Sequence, residues 1–434
     1  MLTLRDLRGT AVEANAVLPR SAQDVSATAD AVLPILDQVR TGGASAVAHL
    51  SQTFDGVVPP SLRVPHAALD RALEELDPQV REALDMLILR TREVHSAQLP
   101  PGSVVSPGPD AQVTNRWVPV QRVGLYVPGG QAAYPSSVVM NVVPAQVAGV
   151  TSLAIASPPQ KEFGGYPHPT ILAAAALLGV REVYAVGGAQ AVAAFAYGVR
   201  DDEGDLLCPP VSLITGPGNI FVATAKRAVQ GLVGIDAEAG PTEIMILADQ
   251  HANPELVAAD LISQAEHDAL AAAVLVTDSP ETAEAVVRHV EVQAAETRHA
   301  ARVKEALTGS QSAVLLVDSM EVAVEIANAY GAEHLEILSD DDDALAEQIH
   351  NAGAIFLGPY TPVSLGDYCA GSNHVLPTGG ASAYSSGLNV TSFLRSQQVI
   401  HYGRQGLSQV AGHVTALAQA EGLPAHGDAV TVRF

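Results

Sequence analysis

The spacing of apolar residues changes along the chain, and the changes divide it. Between residues 30 and 40, Ala31, Val32, Ile35, Leu36 and Val39 recur at the interval of an amphipathic helix, with Thr41-Gly42-Gly43 as its stop. A second helical stretch covers 65–98, where Leu69, Leu73, Leu76, Val80, Leu84 and Leu87 keep that interval. Asp77-Pro78 splits it into two helices, because proline suits a first turn and disrupts an interior. Residues 98–109 are rich in Pro, Gly and Ser, which predicts a loop.

Beyond residue 121 the texture becomes short β-runs that end in tight turns and lead into helices. Residues 123–127 end at Pro128-Gly129-Gly130, 152–156 at Ser157-Pro158-Pro159, 182–186 at Gly187-Gly188, and 211–215 at Gly216-Pro-Gly-Asn219. A second set of candidate strands follows a polar break, at 244–247, 273–276, 313–317, 335–338 and 354–357. Repeated strand, turn and helix indicate parallel sheets. The expected fold is α/β, with two Rossmann-like but incomplete parallel-sheet domains, helices on both faces, a helical N-terminal segment and a small C-terminal tail domain. The expected division is an arm at 1–25, one α/β domain at 122–242, a second built from 26–121 and 243–378, and a tail at 379–434. The tail closes with a helix over 403–421 and is too short to bury a core alone, so it should pack on another domain or subunit.

The chain has 434 residues, 48% hydrophobic and 16% charged, which excludes a disordered or fibrous protein. Its 23 basic and 47 acidic residues give a formal net charge of −24, unfavourable for nucleic acid or anionic lipid as partner. The lysines are Lys161, Lys226 and Lys304. Cys208 and Cys369 form neither a disulfide scaffold nor a zinc-finger spacing. The first residues are too polar for a signal peptide, and the longest apolar run, 171–180, is far short of the ~20 residues that span a bilayer. That run reads as a buried helix, and the expected location is the cytoplasm.

Several segments carry residues that could do chemistry. The turns at Gly187-Gly-Ala-Gln190 and Gly216-Pro-Gly-Asn219 sit where backbone N–H groups bind phosphate, although each also reads as a simple tight turn. Neither completes a Gly-x-Gly-x-x-Gly fingerprint, and no acidic residue follows at the spacing of a ribose clamp. Asn253-Pro254 opens a helix on which Gln264 and His267, three apart, continue the stripe of Val257 and Leu261; they are either a hydrogen-bonded core pair or metal ligands. Glu333 and His334 offer an adjacent carboxylate and imidazole, able to share one site only where the chain turns. The polar stretch from Leu365 through Asp367 and Cys369 to His374 follows the last strand, where α/β sites assemble. Cys369 reads as a small buried residue or as a nucleophile that captures an aldehyde. Glu421 and His426, in the tail, carry little meaning locally.

Together these segments closely resemble the histidinol dehydrogenase family. The likeness covers nearly the whole chain in order: Arg122-Val-Gly-Leu-Tyr-Val-Pro-Gly-Gly130, Gly187-Gly-Ala-Gln-Ala191, Thr215-Gly-Pro-Gly-Asn219, Gly240-Pro-Thr-Glu243, Ser263-Gln-Ala-Glu-His267, Ala332-Glu-His-Leu-Glu336, Gly366-Asp-Tyr368, Asn373-His-Val-Leu-Pro377 and the terminal Glu421 and His426. The resemblance implies oxidation of L-histidinol to L-histidine in two NAD-dependent steps through an enzyme-held aldehyde. It implies zinc ligands at Gln264, His267, Asp367 and His426, a general acid/base pair at Glu333 and His334, and NAD contacts at Tyr126, Gln190 and Asn219. Substrate contacts would include Thr242 and Glu421 besides the ligands and the acid/base pair. The 122–242 domain would then hold NAD and the other α/β domain the metal and substrate. A homodimer is implied as well, its tail crossing over to complete the neighbour's site.

The chain departs from the family pattern at Thr242, where serine is usual, and at Ala332, where proline is usual. Both leave the catalytic groups in place. They leave room for a paralogue acting on another small alcohol; a metal-assisted hydrolase using the same ligands is the reading from a different class.

Overall fold

The structure is a computed structural model that describes residues 2–10, 20, 25–129, 132–237 and 240–434. Residues 2–10, 20 and 25 are the described portion of the expected 1–25 arm, and Gly130 lies outside the described residues. The chain begins with strand β1 (Thr3–Asp6) and the helix Val25–Phe54. The expected stop at 41–43 is a bend instead: Gly43 leaves helical geometry at φ 52°, and the helix resumes to Phe54. The helices His66–Glu74 and Pro78–Ser96 follow, the second capped by Asp77.

Residues 98–109, expected as a loop, contain strand β2 (Ser103–Gly108), paired antiparallel with β3 (Ala111–Pro119). Pro107 is accommodated because the ladder slips between Val105 and Gly108, and proline is tolerated on such an irregular edge. Next come β4 (Arg122–Tyr126), β5 (Ser152–Ser157), β6 (Val183–Ala185), the short pair β7 (Val199–Arg200) and β8 (Leu206–Cys208), β9 (Leu213–Thr215) and β10 (Gly234–Ile235). The last group is β11 (Glu243–Ala248), β12 (Ala272–Thr277), β13 (Ala313–Leu316), β14 (His334–Leu338), β15 (Ala354–Leu357) and β16 (Leu394–Tyr402).

Two parallel sheets organise the molecule, in the orders β10-β9-β4-β5-β6 and β1-β13-β12-β11-β14-β15. Their strands read as continuous apolar runs because helices cover both faces. On β11, Ile244 and Ile246 enter one core cluster while Met245 and Leu247 enter another. On β4 and β5, Val123, Leu125 and Ile155 face one cluster, and Tyr126, Ala154 and Ala156 the other. The apolar run 171–180 forms the buried helix Pro169–Leu177.

The helices between 25 and 96, grouped from the sequence with the second sheet, pack on the first. Val32, Leu36 and Val47 join the cluster of Tyr126 and Ile214, and Leu69 and Leu84 join that of Val123 and Ile171. The tail also differs from expectation. Strand β16 lies antiparallel on β3, Leu394 opposite Pro119, so β2, β3 and β16 form a separate sheet. The expected helix spans Arg404–Ala420, and a further helix, Pro424–Thr431, packs on it. Among the described residues no helix is long and apolar enough to cross a membrane.

Candidate active site

Two cavities open beside the carboxyl ends of the first sheet's strands, and Asn219 lines both. The first, of about 580 Å³, is lined by Tyr126, Gln190 and Asn219, the three residues that the resemblance maps to dinucleotide contacts. Each is fixed by its element. Tyr126 ends β4, is 4% exposed, and its hydroxyl accepts a hydrogen bond from the Gly188 N–H at 3.2 Å; burial pushes its pKa up to about 12. Gln190 sits in the first turn of the helix Gly188–Tyr197, whose N-cap, Gly187, gives no side-chain cap. Asn219 caps the helix Ile220–Val229, its carbonyl accepting from the N–H groups of Phe221 and Val222.

The turn before Asn219 needs its first glycine for packing. Gly216 has φ 115°, and a side chain there would collide with the backbone of Tyr126. A buried ion pair holds this turn: Asp236 accepts the Gly216 N–H at 2.7 Å, while Lys226 pairs with Asp236 and donates to the Gly216 carbonyl at 3.1 Å.

The second cavity, of about 480 Å³, gathers Thr242, His267, Glu333, His334, Asp367 and His374. Glu333 and His334 reach it together because the chain turns just before β14, where Gly331 ends the preceding helix at φ 58° and Ala332 is buried. Glu333 Oε2 accepts from the Thr242 hydroxyl at 2.6 Å and from the Glu243 N–H at 3.0 Å. Even so, burial dominates and raises its pKa to about 7. Burial lowers the pKa of His334, so its imidazole stays neutral. Its Nδ1 lies 3.2 Å from the Glu243 carbonyl oxygen and 3.6 Å from Glu333 Oε2.

Gln264 and His267 are separated by the helix end. The helix Pro254–Ala265 closes before His267, so Gln264 is 2% exposed while the His267 side chain is 43% exposed. The amide nitrogen of Gln264 donates to the Thr242 hydroxyl oxygen, and the Thr242 hydroxyl in turn donates to Glu333 Oε2. That chain leaves the amide oxygen as the Gln264 atom able to face a cation. His267 Nε2 lies 4.0 Å from Asp367 Oδ2. Two atoms each bound at about 2.1 Å from one zinc are at most about 4.2 Å apart, so this pair fits a shared ion. Among the described residues no group of three or more His, Cys, Asp and Glu converges as a metal centre.

Glu421 and His426 line neither cavity; they lie in the exposed helical tail, at the end of Arg404–Ala420 and within Pro424–Thr431. Cys369 lines neither cavity. Sequence reasoning gave His374 no role, yet it bridges the two sheet units. Its Nδ1 donates to the Asp367 carbonyl at 3.1 Å and its Nε2 meets the Ser137 hydroxyl at 3.1 Å. The sequence signal was its place in Asn373-His-Val-Leu-Pro377. Glu243, paired with Arg20 at 3.3 Å and raised by burial to about 7, was also missed.

Comparison with known proteins agrees with this architecture. The family model described as histidinol dehydrogenase matches residues 18–434. A histidinol dehydrogenase of Nocardia farcinica is 60% identical over 432 residues, covering 99% of this chain and 97% of that protein. One from Mycobacterium tuberculosis is 59% identical over 437 residues, covering 100% and 98%. The crystal structure of histidinol dehydrogenase from Elizabethkingia anophelis superposes with a TM-score of 0.92 at 30% identity, covering 100% of this chain and 98% of that one. The chain belongs to the histidinol dehydrogenase family of oxidoreductases.

Proposed function

We propose that the protein oxidises L-histidinol to L-histidine through L-histidinal held on the protein, as a zinc-dependent enzyme using two NAD: L-histidinol + 2 NAD+ + H2O gives L-histidine + 2 NADH + 2 H+, with histidinol and histidine counted as neutral molecules. This is the last step of histidine biosynthesis. The observation that carries the reading is the junction at Asn219, which sets a cavity lined by Tyr126 and Gln190 beside one lined by Glu333, His334, His267 and Asp367.

Gln264, His267 and Asp367 supply oxygen and nitrogen donors that suit zinc, with His426 from a second copy of the chain as the remaining ligand. Bound NAD would accept the hydride in each oxidation, and bound zinc would orient the substrate's nitrogens. The protein's own groups then do the proton work. The Glu243 carbonyl can only accept, so His334 carries its hydrogen on Nδ1 and presents a bare Nε2. That nitrogen takes the hydroxyl proton in the first oxidation. Glu333, held by Thr242 and the Glu243 N–H, takes a proton from the water that adds to the aldehyde carbon. Thr242 and Glu421 would contact substrate together with Gln264, His267, Glu333, His334, Asp367 and His426.

In this reading residues 122–242 bind NAD, with helices from 25–96 packed on them, and 243–378 bind metal and substrate. The protein acts as a homodimer with shared sites, Glu421 and His426 crossing from the tail. Cys208 and Cys369 are free thiols, which suits the cytoplasm. The decisive experiment counts NADH formed per histidinol consumed by zinc-loaded protein. A ratio of two is expected; a ratio of one points to a paralogue that stops at an aldehyde, and none points to hydrolysis.

A further inference from the structure

Arg20, in the arm, meets three elements at once. Its Nη1 donates to Glu243 Oε1 at 3.3 Å and lies 3.5 Å from Oε2, at the first residue of β11. Its guanidinium carbon sits 4.2 Å from the ring centre of Tyr330, the last residue of the helix Met320–Tyr330 that leads into the turn before β14. Its Nη2 packs on Gly380, 3.1 Å from where a Cβ would stand. The stretch around Gly380 is itself tied to both other elements: the Gly379 N–H donates to Glu243 Oε2 at 3.2 Å, and the Ser382 hydroxyl donates to the Gly331 carbonyl at 2.9 Å.

Glu243 touches both members of the acid/base pair, and it does so through its backbone. Its N–H donates to Glu333 Oε2 at 3.0 Å, and its carbonyl lies 3.2 Å from His334 Nδ1. These two peptide groups share the Glu243 Cα, so a turn of the chain there disturbs both contacts together. The ladder to β14 begins one residue later, with Ile244 opposite His334, which leaves the side chain to anchor this position. That side chain is 5% exposed. Burial raises its pKa to about 7, Arg20 pulling the other way and the neighbouring Glu333 adding to the rise. Without the guanidinium, a buried carboxyl would have to find other donors or water, at the expense of the strand end that carries it.

We propose that Arg20 is a positioning residue for the oxidation: by holding the Glu243 carboxyl beside Tyr330, it fixes the two peptide groups that orient Glu333 and set the His334 tautomer. This rests on the proton roles proposed for Glu333 and His334. Arginine suits the task because its flat face stacks on the Tyr330 ring while its edge donates to the carboxylate; a lysine would supply the charge as a point and lose the stacking. Its side chain is 26% exposed, so a small cation can enter from solvent where the guanidinium has been removed.

The test measures steady-state NADH formation from histidinol by full-length, zinc-loaded protein, comparing wild type with Arg20→Ala and Arg20→Lys, each with and without millimolar methylguanidinium, and follows thermal melting alongside. Arg20→Ala should lose ~10–10²-fold in kcat through misplacement of the two groups. Its KM for histidinol should stay within about twofold of wild type, because no group that contacts substrate has been removed. Methylguanidinium should restore part of the lost kcat, and Arg20→Lys should lose less than Arg20→Ala at the same unchanged KM. Wild-type kcat in every variant that folds overturns the role of Arg20 and leaves those of Glu333 and His334 standing. A loss that neither lysine nor methylguanidinium recovers, matched by a lower melting temperature, also overturns it, since Arg20 then serves the fold alone. A wild type that forms no NADH from histidinol overturns both this role and the reading of the site.

Discussion

His334 Nδ1 lies 3.2 Å from the backbone carbonyl of Glu243 on the neighbouring strand, and that contact fixes which ring nitrogen is free to react. Asparagine keeps a donor for the carbonyl but has no base at the Nε2 position. His334→Asn should therefore lower turnover by ~10²–10⁴-fold while histidinol affinity stays near wild type. Steady-state kinetics with histidinol check this; wild-type turnover would remove His334 from the chemistry.

Glu333, the proposed base, can serve only when ionised, and its pKa is raised to about 7. Oxidation of histidinal should accordingly decline as pH falls through about 7, whereas formation of histidinal, served by neutral His334, persists to lower pH. Glu333→Gln should abolish that difference by impairing the histidinal step more than the histidinol step. Rates measured separately from each substrate across pH decide it, and equal impairment of both steps would defeat the water-activating role.

A second buried carboxyl gives a stability prediction. Glu336, 1% exposed on β14, has its pKa raised by burial and by Asp260 to about 9, so it donates to Asp260 as a neutral acid. Between its ordinary 4.5 and about 9, the unfolded chain has released a proton that the folded chain keeps. Stability from this group is full below the lower value and falls as pH rises, by up to about 1.4 kcal/mol per unit. Glu336→Gln stays neutral and should escape that slope. From about pH 6 to about pH 8, denaturant unfolding should show the variant gaining up to about 2.7 kcal/mol relative to wild type; parallel curves would contradict it.

Neither thiol is placed for covalent capture of an aldehyde. Cys208 is buried, with its pKa pushed up to about 12, and Cys369 lines neither cavity. Cys369→Ala should retain turnover within about threefold, and complete loss would restore a thiohemiacetal route.

The tail makes a prediction about pairing. If Glu421 and His426 serve a second copy, His334→Asn and His426→Ala dimers are each inactive, yet a mixed dimer holds one intact site. Random exchange of subunits should restore about a quarter of wild-type activity. No recovery, with exchange verified by mass, would place the tail outside the neighbour's site.

The sheets were legible because their strands are buried on both faces, and unbroken apolar runs between turns betray that environment. All the candidate strands from 244 to 357 match strands β11 to β15 closely. The turn that lets Glu333 and His334 share a site was also foreseeable, from the geometry of adjacent strand residues. Strand β16 was not: eight of its nine residues face solvent and its partner β3 lies far upstream, so neither periodicity nor local sequence marks it.

Asn219 separates as much as it joins. With the two cavities meeting at this side chain, the proposed reaction would let a reduced carrier depart and a fresh one arrive while the half-oxidised guest stays in its own chamber. On that proposal the partition would answer a traffic problem: a reactive aldehyde need never travel to meet its second oxidant.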